Sequence, residues 1–171
     1  MKLSLLTPKY VLRSIDSNQD DLSSYLNWMQ DVKSNPFIQS VRPDYPLNEL
    51  IEYIEKKNVA ANALLMGIFS AENGKHIGNL KFDPILFDDR KAVLGLLIGE
   101  ADFRGIGVGT EILPYAFSKL SGEYGIELVE LGVDVDNKAA ISLYQKIGFN
   151  IKSSHGTNGY WMSKAICEKI Y

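Results

Sequence analysis

The sequence has 171 residues, 46% hydrophobic and 23% charged, which is enough apolar material for one domain with a sizeable core and little chain for two. A formal net charge of −3 and a pI near 5.4 argue against a nucleic-acid partner, because such proteins display a basic field. The single cysteine, Cys167, rules out an intrachain disulfide and a cysteine-based zinc cluster, and it suits a reducing, cytoplasmic setting.

At the N-terminus, Leu3–Leu6 is too short an apolar stretch for a signal peptide. No apolar run approaches the roughly 20 residues a membrane helix needs, so an unprocessed protein with no membrane partner is expected. Tyr10–Ile15 reads as a strand, and the Asp16-Ser-Asn-Gln turn offers an N-cap to the next segment. From about residue 20 to 33, Leu22, Tyr25, Leu26 and Met29 recur at helical spacing. Pro36, Pro43 and Pro46 punctuate a loop, and a second helix starts at Leu47 with Leu50, Ile51 and Ile54 on one face.

Ala63–Phe69 is a buried-strand run, Glu72–Lys75 a hairpin turn, and His76–Phe82 the returning strand. After a loop from Asp83 to Arg90, Ala92–Ile98 supplies a third strand of an antiparallel meander. A glycine-rich turn opens a helix over about 107–122, interrupted by Pro114, which leaves the Thr110 carbonyl without its usual donor. Strand Glu127–Val133 comes next, then a helix from Asn137 to its C-cap Gly148, and a closing hairpin of 149–153 and 159–164. No repeat or linker interrupts the pattern, so one α+β domain spanning 1–171 with a mixed sheet is expected.

Arg104-Gly-Ile-Gly-Val-Gly-Thr110 lies directly after a strand and opens a helix, so unpaired backbone N–H groups converge on one point. Glycine at 105, 107 and 109 lets a phosphate approach the main chain, and Arg104 can add a charge-assisted contact. Turn chemistry and a helix start explain the same glycines without a ligand. A P-loop does not fit, since Gly109 is followed by Thr110 and Glu111 with no lysine. A dinucleotide fingerprint does not fit either, because the spacing is Gly-x-Gly-x-Gly after an antiparallel meander.

Arg104-x-x-Gly107-x-Gly109 after a strand resembles the acetyl-CoA signature of the GNAT superfamily of acyltransferases. The segment Asn137-Lys-Ala-Ala-Ile-Ser-Leu-Tyr144-Gln-Lys-Ile-Gly148-Phe149 resembles that family's second hallmark. Ile98-Gly-Glu-Ala-Asp-Phe-Arg-Gly is most similar to the branch holding ribosomal-protein, spermidine and amino-sugar acetyltransferases. The resemblance covers most of the chain. It implies a mostly antiparallel central sheet flanked by helices, with strands splayed in the middle, and acetyl-CoA as cosubstrate.

By the same resemblance the pantetheine arm pairs with the strand edge at Leu97 and Ile98. The pyrophosphate lies on Arg104, Gly105, Ile106, Gly107, Val108, Gly109 and Thr110. Asn137 and Lys146 join the coenzyme set, and Tyr144 stands near the sulfur. Transfer needs a neutral amine, a polarised carbonyl and a proton for the leaving thiolate. Tyr144 is the candidate acid, the alternative being a core tyrosine. Backbone N–H groups at Leu97–Ile98 are candidates to polarise the carbonyl. Glu100 and Asp134 are candidate bases, each also readable as a solvated loop carboxylate. His76 and His155 read as structural or substrate-lining, Cys167 is an improbable nucleophile, and no metal-ligand spacing exists.

The acceptor pocket is expected from the two N-terminal helices and their loop, with Trp28, Asp31, Phe37, Arg42 and Tyr45, and from the loop starting at Phe82. The expected reaction is acetyl transfer to the primary amine of a small molecule or peptide, by a monomer or homodimer. The acceptor is read as a nucleotide-linked amino sugar, with a protein N-terminus or a polyamine as alternatives. A non-catalytic acyl-CoA-binding module and a different nucleotide binder are the competing classes.

Overall fold

The computed structural model describes residues 4–166. Its strands are β1 Leu5–Leu6, β2 Tyr10–Arg13, β3 Leu64–Ser70, β4 His76–Leu86, β5 Lys91–Ile98, β6 Leu128–Asp134, β7 Asn150–His155 and β8 Gly159–Ala165. Its helices are α1 Ser23–Gln30, α2 Leu47–Val59, α3 Val108–Tyr124 and α4 Lys138–Lys146. The strands form one mixed sheet in the order β1-β2-β3-β4-β5-β6-β8-β7. The β5–β6 pair is parallel, whereas β1–β2, β2–β3, β6–β8 and β7–β8 are antiparallel.

The described residues divide into two compact units, 4–81 with 96–104 and 82–95 with 105–166. In the first unit the apolar faces read from helical spacing form the core. Leu22, Tyr25, Trp28 and Met29 of the α1 region pack with Leu50 and Ile54 of α2, with Ile15 and with Leu65 of β3. β3 is buried along its whole length, as a continuous apolar run implies. Arg13 at the end of β2 is tied to Asp20 at 2.7 Å and lies 4.0 Å over the Phe69 ring.

The second unit is built on α3, whose Ile112, Leu113, Ala116, Phe117 and Leu120 are buried. Phe117 meets Phe82 at 6.4 Å and Phe149 at 6.0 Å between ring centroids. α3 runs through Pro114 and ends at Gly125, a left-handed C-cap at φ 66°; glycine carries that conformation without a Cβ penalty.

Several boundaries differ from the sequence reading. α1 covers only Ser23–Gln30 rather than 20–33, because Asp31 accepts backbone N–H bonds from the turn at Ser34 and Asn35. β4 continues through Pro84 to Leu86, where buried Ile85 keeps an apolar side chain in the core. Phe82 is therefore not the start of an acceptor loop: it is a strand residue with no exposure. The two-residue β1 went unread, being too short to show alternation.

Candidate functional site

In the second unit the segment after residue 104 has the geometry of an anion cradle. Gly105 and Gly107 take φ values of 72° and 93°, in the left-handed region that favours glycine. A Cβ built on either would meet no atom within 4 Å, so the backbone there faces open space. Gly107 is the N-cap of α3 and gives no side-chain cap. The first-turn N–H groups, at Val108, Gly109 and Thr110, are those an α-helix leaves without an intrahelical partner. Helix-end polarity and approachable backbone together suit a pyrophosphate.

α4 supplies two further residues. Asn137 is its N-cap, with Oδ1 accepting the Ala140 N–H at 3.2 Å. About two turns on, Tyr144 is buried against Phe149, ring centroids 5.6 Å apart. Burial pushes its phenol up to about 12, so Tyr144 stays protonated through the neutral range. Lys146 sits exposed in the last turn.

Asp134 ends β6 and anchors the following turn, its Oδ1 accepting the Asp136 N–H at 2.8 Å and the Asn158 amide at 3.2 Å. That engagement gives Asp134 a structural role of its own. The parallel ladder of β5 with β6 covers only 91–93 against 128–130.

In the first unit Arg104 departs from its expected place on a phosphate. Its Nε donates to the Ile98 carbonyl at 2.8 Å, Nη2 to the Gly99 carbonyl at 2.9 Å and Asn35 Oδ1 at 3.1 Å, and Nη1 to the Ser34 carbonyl at 3.0 Å. Arg104 thus clamps the end of β5 to the loop after α1. Its five donors match clustered carbonyls as well as they match a phosphate.

The partly buried Leu97 and Ile98 end β5. β4 approaches closely there, since a Cβ on Gly78 would fall 2.3 Å from the Leu97 carbonyl oxygen. The N–H groups of Gly99 and Glu100 both donate to the Ile77 carbonyl, at 3.0 and 3.1 Å. This doubled contact turns the chain out of the strand at Glu100.

Glu100 is held on two sides. Trp28 Nε1 donates to Oε1 at 3.2 Å, and Lys75 Nζ lies 2.5 Å from Oε2. The Lys75 bond, followed by that of Trp28, holds the Glu100 carboxyl below its ordinary range despite partial burial. Glu100 is therefore ionised near neutrality and is a weak base.

Trp28 is itself packed against Tyr25 and His76, at 6.0 and 5.0 Å between centroids, and His76 stacks on Phe69 at 4.7 Å. His76 Nε2 lies 3.0 Å from the Gly78 carbonyl and 2.9 Å from Asn79 Oδ1. Burial lowers the His76 pKa, so the neutral ring donates from Nε2. His76 Nδ1 and Asn79 Nδ2 are buried without a hydrogen-bond partner among the described residues.

The remaining acceptor candidates divide. Trp28 and Tyr45 are 5% and 4% exposed and belong to the core. Arg42 lies 4.5 Å over the Tyr45 ring and pairs with Glu49 and Asp44. Phe37 is exposed, and Asp31 caps its turn. His155 packs on Trp161 at 5.1 Å. Cys167 lies outside the described residues. Among those residues no group of three or more His, Cys, Asp or Glu is placed to hold a metal, and no helix is long and apolar enough to cross a membrane.

Sequence reading gave no role to Lys75, Asn35 or Gly99. Lys75 read as turn chemistry, and its partner Glu100 belongs to a different turn, beyond two intervening strands. Gly99 carried a usable signal, a glycine at a strand end. A Cβ there would fall 2.0 Å from the Trp28 ring.

Residues 10–150 match the family model described as an acetyltransferase (GNAT) domain. Among curated proteins, 91 residues are 35% identical to an uncharacterized N-acetyltransferase of Methanocaldococcus jannaschii, covering 50% of this chain and 40% of that protein. An N-alpha-acetyltransferase of Sulfolobus acidocaldarius is 41% identical over 71 residues, covering 42% of this chain and 41% of that protein. The matched segments thus span about two-fifths of those relatives' lengths. Among solved structures, a ribosomal L7/L12 alpha-N-protein acetyltransferase in complex with coenzyme A aligns with a TM-score of 0.82 at 15% identity, over 94% of this chain and 96% of that one. Spermidine N-acetyltransferase from Vibrio cholerae in complex with CoA and spermine aligns at 0.75 and 19%, over 91% and 95%. At these identities the two structures speak for the fold.

Proposed function

The chain belongs to the GNAT acetyltransferase family, and from that premise we propose that it is an N-acetyltransferase that moves the acetyl group of acetyl-CoA to a primary amine by direct transfer. The observation that carries this is the start of α3, where two left-handed glycines face open space beside an uncapped helix N-terminus. Gly105–Thr110 would hold the pyrophosphate, and the edge of β5 at Leu97 and Ile98 would take the amide-bearing arm. Bound acetyl-CoA supplies an activated thioester.

The chain's own groups do the rest. Tyr144 keeps its proton at neutral pH and offers an O–H to the leaving sulfur; a phenol raised to about 12 acts by hydrogen bonding more than by complete proton transfer. Asn137 fixes the start of the helix that carries it. Glu100, held ionised, suits binding a positive group better than removing a proton from one.

The acceptor is a primary amine with a cationic character. Two observations weigh against a stacked amino sugar: Trp28 and Tyr45, the aromatics that would form its platform, are buried in the core, and so is Phe82. The named relatives act on N-alpha amines and spermidine, which supports a polyamine or peptide acceptor. The test is acetyl-CoA affinity by calorimetry for wild type and Gly107→Glu. Loss of binding in the variant is expected, since a carboxylate would enter the anion's place; equal affinity would remove the cradle.

A further inference from the structure

We propose that Arg104 is a positioning residue for the transfer step and not a ligand of the coenzyme's pyrophosphate. It fixes the end of β5 against the loop after α1, and so sets where the thioester arm lies relative to the side from which the acceptor is expected. The proposal rests on the acyl-transfer reading above and goes beyond it by giving the arginine of the glycine motif a role its spacing does not announce.

A guanidinium carries five N–H donors in one plane. In Arg104 four are taken, at 2.8 to 3.1 Å: Nε–H by the Ile98 carbonyl, both Nη2 hydrogens by the Gly99 carbonyl and Asn35 Oδ1, and one Nη1 hydrogen by the Ser34 carbonyl. One N–H is left, whereas a two-pronged grip on a phosphate needs two parallel ones. Recruiting Arg104 to a phosphate therefore breaks at least one of these bonds and leaves its acceptor unmet. The charge acts on Asp31 at longer range: that carboxyl is held low by Ser34 first and by Arg104 in addition.

Two consecutive peptide groups at the end of β5 are held on both edges. The Ile98 carbonyl accepts from Arg104 Nε while the Gly99 N–H donates to the Ile77 carbonyl at 3.0 Å. The Gly99 carbonyl accepts from Arg104 Nη2 while the Glu100 N–H donates to the same Ile77 carbonyl at 3.1 Å. β4 holds one edge and the guanidinium the other. On its far side Arg104 meets Asn35, which is 6% exposed and whose Nδ2 donates to the Trp28 and Asp31 carbonyls at 3.1 and 3.3 Å. Those carbonyls belong to the C-terminal end of α1, where a helix leaves acceptors without partners. With Nδ2 committed to them, Asn35 Oδ1 faces Arg104, and the contacts run unbroken from β5 through Arg104 and Asn35 into α1. Trp28 closes the circuit by donating its indole N–H to Glu100. Direct transfer needs thioester and amine at contact distance, and a displacement of about 1 Å can cost roughly a hundredfold in rate. Loss of Arg104 therefore falls on the rate of transfer, while the backbone N–H groups of Gly105–Thr110 remain to take the anion.

The test compares wild type with Arg104→Gln and Arg104→Lys. CoA binding is measured by calorimetry at low and at high salt, and thiol release from acetyl-CoA is measured with spermidine and with an N-terminal peptide. CoA affinity should stay within about twofold of wild type in both variants and keep its salt dependence, whereas kcat should fall roughly ten- to a hundredfold in both. Lysine should not rescue, because one ammonium cannot span four acceptors set around a planar fork. Asn35→Ala leaves the guanidinium in place; it should lower kcat in the same direction and add little to Arg104→Gln. A phosphate ligand gives the opposite pattern: CoA weakened about tenfold or more in Arg104→Gln with a shallower salt dependence, binding restored in Arg104→Lys, and no effect of Asn35→Ala. That pattern, or wild-type kcat in Arg104→Gln, overturns the assignment. CoA binding is read without turnover, so a failure of acyl transfer leaves that arm standing. Gly107→Glu, which strikes the cradle, should lose CoA whichever account of Arg104 holds, so the two readings fail separately.

Discussion

At Gly99 the absence of one methyl group decides where an indole sits. A Cβ there would lie 2.0 Å from Trp28 Cδ2, and Trp28 in turn donates to Glu100. Gly99→Ala should therefore destabilise the protein by about 1–3 kcal/mol through overpacking and weaken the hold on Glu100. Thermal melting checks the first, and an unshifted midpoint would contradict the packing. Tyr144→Phe removes the O–H and little volume: turnover should fall by roughly a hundredfold, with acetyl-CoA affinity unchanged. Slowed thiol release with unaltered calorimetry is the matching pair of measurements. The Tyr144 phenol also gives a pH signature. Its folded pKa lies above the ordinary 10.0, at about 12, so its contribution to stability is whole below pH 10 and is lost as pH rises toward 12. Glu100 and Asp20 have the opposite sign. Both are held below their ordinary values, by Lys75 and by Arg13 first, so their contribution is present above those values and is lost as pH falls through the lowered ones. Melting temperature should fall on acidification below about pH 4.5, and Glu100→Gln should flatten part of that fall.

Of these residues, Asn137 and the glycines at 105 and 107 were legible because local spacing announces them: a cap three residues before the N–H whose bond it accepts, and glycines just before a helix start; Tyr144 was reached through the family resemblance. The partners of Arg104 and Glu100 were not. Arg104 meets a loop about 70 positions away, and Glu100 meets Trp28 72 positions away. Nothing in a window of sequence encodes such a meeting, so Arg104 was read by its charge and its place in the glycine motif.

At the scale of elements, the helices that frame the cradle were placed by punctuation. α3 begins after Gly107, as read, but runs past the expected end near 122 to Gly125, both caps left-handed, and α4 begins after its cap Asn137. The Asn137 cap makes a direct prediction. Asn137→Ala should cost about 1 kcal/mol of stability, read by urea denaturation with an unchanged slope; no loss would mean that Oδ1 does not cap. Strand limits were read less well. β4 outruns its expected end because buried Ile85 continues the core past Pro84, and proline is usually taken as a strand's end. The edge strand β7 is exposed along its whole length and carries a register shift between Ile151 and Ser153, which blunts a free edge.

At the scale of the molecule, the order of elements carried the family resemblance, and the sheet order β1-β2-β3-β4-β5-β6-β8-β7 bears out a mixed, mostly antiparallel arrangement. The acceptor was the least legible part: of the aromatics expected to line its pocket, Trp28, Tyr45 and Phe82 are buried, while Phe37 is exposed. The central claim is acetyl transfer from acetyl-CoA to an amine. It is tested most directly by thiol release from acetyl-CoA in the presence of spermidine, an N-terminal peptide and a nucleotide-linked amino sugar, each run with the wild-type protein. The account predicts acceptor-dependent release with spermidine or the peptide, and the acetylated amine in equal amount. Tight acetyl-CoA binding with no release above the hydrolysis background for any amine would contradict it.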